Sequence, residues 1–177
     1  MASLSIPNPR QVLIAGAAIC LLTASSYIAV PIGPVPMTMQ TLAVVLVGAG
    51  LGPRGGALCV LSWLGLAFAG APLLAGGGGG PAAFVGPTAG YLAAFPIAAY
   101  LSGLLPRPDT WRAAALALAG FLAAHGLILA LGTAWLSVFL GAEAAFAAGA
   151  APFFIGAGIK SALAVAVLKA WPRAPRA

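Results

Sequence analysis

Apolar residues along this chain do not alternate with polar ones; they run in long blocks separated by short clusters of turn formers. Six blocks fall at about residues 11–30, 38–52, 55–74, 84–105, 112–135 and 153–171. The breaks read PIGPVP at 31–36, LGPRGG at 51–56, GAPLLAGGGGGP at 70–81, LPRPD at 105–109 and FLGAEAAFAAGAAP at 139–152, mostly the Gly/Pro punctuation of turns. Transmembrane β-strands need segments of about ten residues with every second one polar, and no segment follows that rule. The pattern therefore predicts an all-α bundle of six transmembrane helices. Pro96 falls inside the fourth block, where it removes one backbone donor and predicts a kink rather than an end. The second block is short, which predicts little tilt or a deeper start.

Composition fixes the solvent. The 177 residues are 62% hydrophobic and 6% charged, with a mean hydropathy of +1.09, whereas a water-facing globule carries about 25% charged residues. The expectation is one integral membrane domain over residues 1–177, with no length left for a soluble catalytic or nucleotide-binding unit. Numbering the breaks alternately puts Arg10, Arg54, Arg107, Arg112, Lys169, Arg173 and Arg176 on one side, and Glu143 as the charged residue on the other. That segregation predicts both termini in the cytoplasm of a multi-pass protein. The net charge of +6 then reads as a topology signal with some attraction to anionic lipid headgroups, and nucleic acid is not an expected partner. Arg10 followed by VLIAGAAICLL and TASS has the look of a cleavable signal peptide, but the apolar run resumes with YIAV and reaches spanning length, so it is read as a retained first crossing. Cys20 and Cys59 lie in apolar blocks, where a thiol behaves as a small hydrophobe; neither a disulfide nor a metal site is expected.

The breaks on the side without basic residues carry the candidate chemistry. Gly76 to Gly80 form an unbroken glycine run, which either acts as a flexible linker or brings bare backbone close to a ligand. In the adjoining GPTAGY, Thr88 and Tyr91 supply hydroxyls at the mouth of the fourth crossing; VPMTMQT places Thr38, Gln40 and Thr41 at the mouth of the second. Two neighbouring polar mouths fit a small pocket with a few placed hydrogen-bonding groups, and helix capping by Thr38 and Thr88 is the competing reading. Lys160 lies within the last block, about 12 Å below its outer end at 1.5 Å per residue. A lysine near the bilayer centre costs about 2.5–3.5 kcal/mol. Either its stem snorkels to the interface or a partner compensates it. No crossing contains an acidic residue, so an anionic or strongly polar solute entering from outside is the expected partner.

Enzymatic readings fare less well. GAGIKS at 156–161 is close to a phosphate-binding loop but has Ile159 where that loop needs glycine before the lysine. His125 is the chain's one histidine and no G-x-S-x-G elbow accompanies it. It is read as a helix-to-helix hydrogen bond or a pocket residue. Gly16, Cys20 and Ala24 recur at every fourth position of the first block, a small-residue stripe that serves either packing inside the bundle or contact with a partner.

Together, PIGPVPMTMQTLAVVL, LGPRGGAL, GLAFAGAPLLAGGGGGPAAFVGPTAGY and PFFIGAGIK resemble the BioY family, the biotin-specific S components of prokaryotic energy-coupling factor (ECF) transporters. The resemblance runs in order along nearly the whole chain. It implies a six-helix S-component bundle in the cytoplasmic (inner) membrane that captures biotin from outside without being an enzyme or needing a cofactor. It also implies partnership with a transmembrane coupling protein and ATPase subunits, or solitary or homo-oligomeric function. The candidate ligand contacts are Lys160, Gln40, Thr38, Thr88, Tyr91 and His125, with Gly79, Gly86 and Gly90 in the glycine-rich closing segment; the stripe of Gly16, Cys20 and Ala24 is the candidate coupling-protein face. Biotin offers a carboxylate and a ureido ring, and Lys160 suits either the carboxylate or the ureido carbonyl. Two positions depart from the family pattern: Ala89 replaces a glycine in GPTAGY, and Ala157 stands where an aspartate is usual, three residues before the lysine. Gln40, His125 or a backbone carbonyl then has to replace that acceptor, or the ligand differs. A stand-alone carrier for another vitamin-like acid, or a membrane enzyme using Lys160 or His125, are the other function classes.

Overall fold

In the computed structural model, which describes residues 8–171, the chain is almost wholly helical. Helix α1 covers Pro9–Tyr27, α2 Gln40–Phe68, α3 Ala89–Gly103, α4 Trp111–Leu140, α5 Ala142–Gly149 and α6 Phe153–Ala170. Arg173 and Arg176 lie outside the described residues. Local chemistry sets the starts of two of these helices. Asn8 and Gln11 form a reciprocal capping box on α1, and the Thr110 hydroxyl accepts from the Ala113 amide on α4, satisfying amides that have no partner within the helix.

α2 is two arms, 40–51 and 53–68. Gly52 takes φ 76° and ψ 173°, a conformation closed to residues with a Cβ, and Pro53 opens the second arm with its φ already helical. The chain reverses there. A Cβ on Gly56 would collide with the Cα of Gly48, whereas two turns of one continuous helix separate such atoms by about 11 Å. Counting the arms separately and setting aside the 8-residue α5 gives, among the described residues, the six apolar segments that the pattern predicts. Taken whole, 4 helices are long and apolar enough to cross a bilayer; α3, at 15 residues, is shorter.

Several boundaries differ from expectation. The block at 55–74 leaves the helix after Phe68, and the block at 84–105 becomes α-helical only at Ala89, because 69–88 folds as a compact loop with two short 3₁₀ turns, Ala75–Gly77 and Pro81–Phe84. α4 runs on to Leu140 and Gly141, at φ 81°, turns the chain into α5, a helix within a stretch read as a break. A two-stranded hairpin also forms unannounced: β1 (Ala29–Val30) pairs with β2 (Met37–Thr38), Ala29 opposite Thr38. α3 continues through Pro96.

The exterior is apolar. Leu13 is 74% exposed, Val138 76% and Ile155 77%, an inversion of soluble packing that suits a lipid solvent. The interior is closed by Trp63, stacked on Phe95 with ring centroids 6.5 Å apart and donating its indole N–H to the Thr23 hydroxyl at 3.2 Å. Basic side chains gather at one end of the bundle. There Arg10, the 49–51 turn, Arg107 and Trp171 border a common space, and Arg107 donates to the Leu168 and Trp171 carbonyls at 3.3 and 2.9 Å, capping α6. The hairpin and the glycine loop stand at the other end.

Candidate functional site

At the hairpin end, α3, α4, α6, the first arm of α2, the hairpin and the glycine loop enclose a cavity of about 250 Å³, at the small end of ligand pockets. Lys160, Gln40, Thr38, Thr41, Thr88, Tyr91 and His125 all border it. Residues from separate crossings that read as isolated polar interruptions thus converge on one space.

Lys160 does not snorkel. It is 8% exposed, and its ammonium donates to the Thr38 carbonyl at 2.6 Å and the Thr41 hydroxyl at 3.2 Å. Both acceptors are neutral, so part of the expected compensation comes from the protein itself rather than from a solute. Two of the ammonium's three N–H groups are used this way. The carbonyl of Thr38 is available because the hairpin ends at that residue and α2 starts only at Gln40. The Thr38 hydroxyl accepts from the Gln40 amide at 3.3 Å and donates to the Gln40 side-chain oxygen at 3.0 Å. Thr38 thus lies just outside the N-cap, Met39, which makes no side-chain capping bond, and it satisfies the Gln40 backbone amide while orienting the Gln40 side chain. Thr88 precedes α3 without a side-chain capping bond, which removes the competing capping role for its hydroxyl.

His125 is 2% exposed and is fixed through Nδ1, which lies 2.9 Å from the Phe121 carbonyl and 3.0 Å from the Ser161 hydroxyl. The Ser161 hydroxyl donates to the Ala157 carbonyl at 2.8 Å. Two residues that border the cavity each carry a buried side-chain nitrogen with no partner, Gln40 Nε2 and His125 Nε2.

Other predicted contacts sit differently. Tyr91 commits its hydroxyl to the Gly149 carbonyl at 2.8 Å, tying α3 to the end of α5, so toward the cavity it offers its ring. Gly79, Gly86 and Gly90 do not border the cavity. A Cβ on Gly79 would strike the Ala71 carbonyl and one on Gly90 the Trp135 side chain, while the Gly86 carbonyl accepts from the Trp135 indole at 2.9 Å. These glycines permit close packing that shapes the mouth. The loop is held to α1 as well: Ser26 and Tyr27 donate to the Leu73 and Pro72 carbonyls at 2.8 and 2.7 Å. Sequence reasoning missed the apolar wall of Met37, Phe95 and Phe153, since one more hydrophobe gives no contrast in a chain so apolar. The Gly16, Cys20 and Ala24 stripe lies on the exposed face of α1, not inside the bundle.

A second cavity, of about 500 Å³, opens at the basic end. Its lining is apolar apart from Arg10 and Arg107, with Phe121 and Trp171 as its aromatic members, and none of the buried unpartnered polar atoms among the described residues belongs to it.

A helical bundle with an apolar exterior, clustered cations at one end and a ligand-sized polar chamber at the other defines a multi-pass membrane protein that admits a small solute. The chain belongs to the BioY family, whose profile matches residues 2–177, and that family consists of transporters rather than enzymes. Similar proteins include the probable biotin transporter BioY of Pyrococcus horikoshii, 37% identical across 89% of this chain and 93% of the relative. The biotin transporter BioY of Thermotoga maritima is 38% identical across 70% of this chain and 72% of its own. The fold matches a crystal structure of the S-component for biotin from an ECF-type ABC transporter, with a TM-score of 0.78 and 25% identity over 94% of each chain.

Proposed function

We propose that this chain captures biotin as the substrate-specific subunit of an ECF-type transporter in the cytoplasmic membrane of a prokaryote, with the hairpin end facing outward and the basic end inward. The observation that carries this reading is Lys160: a buried ammonium bordering a small chamber, with two neutral partners and one N–H left for a ligand oxygen. Gln40 supplies a further donor, and Phe95, Phe153 and Met37 form an apolar wall for the stem of the vitamin. Relatives named as biotin transporters, and the structural match to an S-component for biotin, support the choice of ligand. The exposed small-residue stripe of α1 supports a coupling-protein contact on that face.

Equilibrium binding of radiolabelled biotin to detergent-purified protein is the test. Wild-type protein binds, and Lys160→Ala loses at least about tenfold in affinity, the value of one charge-assisted hydrogen bond. Its insertion and thermal stability hold or improve, since the cost of a buried ammonium is removed. Unchanged binding by Lys160→Ala overturns the role of this residue, and no binding by wild type overturns the ligand.

A further inference from the structure

We infer that His125 is a specificity-determining residue, whose Nε2 accepts a hydrogen bond from a ring N–H of the ligand in the cavity that Lys160 also borders.

The assignment follows from the partners of Nδ1. The Phe121 carbonyl, 2.9 Å away, is an acceptor only. The Ser161 hydroxyl, 3.0 Å away, has given its own proton to the Ala157 carbonyl and presents a lone pair. The carbonyl contact requires a proton on Nδ1, and the serine contact is compatible with it, so in the neutral ring Nε2 is a bare acceptor. That nitrogen is buried and unpartnered. An acceptor left so is costly, and the space that His125 borders is the ligand cavity. No carboxylate lines that cavity, and the hydroxyls of Thr38, Thr41 and Tyr91 already serve Gln40, Lys160 and the Gly149 carbonyl. His125 Nε2 and the Thr88 hydroxyl are thus the side-chain acceptors held in reserve at this cavity, and His125 is the buried one.

Lys160 narrows the chemistry of the ligand ring. His125 and Lys160 border the same cavity, so a fixed acceptor and a cationic donor are offered to one ligand. That pair suits a ligand with both an N–H and a C=O on its ring, such as a cyclic urea or lactam. The inference rests on biotin as the ligand, and it adds which group reads the ring and in which tautomer.

The test pairs a change in the protein with a change in the ligand. Binding to purified wild type and His125→Phe is measured with biotin and with two isosteric carbamate analogues, each having one ring N–H replaced by oxygen. Wild type prefers biotin over one of the analogues by about tenfold or more, because a site built to receive a hydrogen bond rejects a ligand lacking the donor. His125→Phe binds biotin more weakly and loses that preference, while His125→Gln, which retains a side-chain acceptor, recovers part of it. A merely structural role for His125 lowers affinity for all three ligands alike and leaves the preference intact. That outcome, or unchanged binding in His125→Phe, overturns the inference while biotin capture stands. Absence of biotin binding by wild type instead removes the reading on which it rests. If neither His125→Phe nor His125→Gln folds, Ser161→Ala is used, and the same loss of preference is required of it.

Discussion

Lys160 is held by oxygen dipoles and not by a counter-charge, and this sets the chemistry of the chamber. A carbonyl and a hydroxyl satisfy two of its protons, yet the chain's two acidic residues lie elsewhere, Asp109 between α3 and α4 and Glu143 in α5. Ala157 sits one turn before Lys160 on the same face of α6 and borders the same cavity. An aspartate there would add a counter-charge for the ammonium and a second acceptor for ligand N–H groups. Ala157→Asp is therefore expected to tighten biotin binding by up to about tenfold, the worth of one added hydrogen bond, read by titration calorimetry in detergent. Weaker binding would mean that the side of the ligand facing α6 carries negative charge. The polar members of the site were legible in the sequence for one reason: a Lys, Gln or His inside an apolar run is expensive unless it has work to do. The walls were not legible, because Phe95 and Phe153 look like any lipid-facing aromatic until the fold turns them inward.

The two arms of α2 and α3 are each shorter than a bilayer is thick, and they meet through glycine. Gly48 faces the Ala99 backbone, Gly56 faces Gly48, and Gly103 rests on the Gly52–Pro53 turn; at each position a Cβ would strike backbone atoms that cannot rotate away. Three helical segments thereby approach almost backbone to backbone near the basic end, where the absence of side chains maximises dispersion contacts in lipid. Gly48→Val is expected to destabilise the fold by more than the 1–3 kcal/mol typical of overpacking (about 3 kcal/mol or more), seen as a large fall in melting temperature or loss of the monodisperse peak in detergent. Gly65→Ala, with open space around its Cβ, is the matched control and leaves stability nearly unchanged. The LGPRGG break foretold this reversal because Gly then Pro ends one helix and starts another. Other elements escaped the pattern. The β1–β2 hairpin has only 2 residues in each strand, too few for alternation to register, and α5 was hidden by Gly141 and Gly149, although its run of alanines is a strong helix former.

At the scale of the whole molecule, one face of α1 has no occupant among the described residues. α1 packs inward through Ala18 and Leu22, and the Cys59 thiol approaches the Ala15 carbonyl, but Gly16, Cys20 and Ala24 point outward and nothing lies within 4 Å of a Cβ placed on Gly16. Small residues on a lipid-facing surface gain little from lipid, which wets leucine as well as alanine; their advantage appears when another helix closes on them. The stripe is also remote from the ligand chamber, since none of its members borders that cavity. Binding and energised uptake should therefore separate. In cells that supply the coupling protein and ATPases, Gly16→Leu is expected to reduce biotin uptake about tenfold or more, consistent with losing one close helix contact worth about 1–2 kcal/mol, while the purified variant binds biotin with wild-type affinity. Equal losses in both assays would mean that α1 reports to the chamber through the Ser26 and Tyr27 contacts with the glycine loop. Full retention of both would leave the stripe facing lipid alone, and the coupling surface would then have to be sought at the basic end, where Arg10, Arg107 and Trp171 rim the larger cavity.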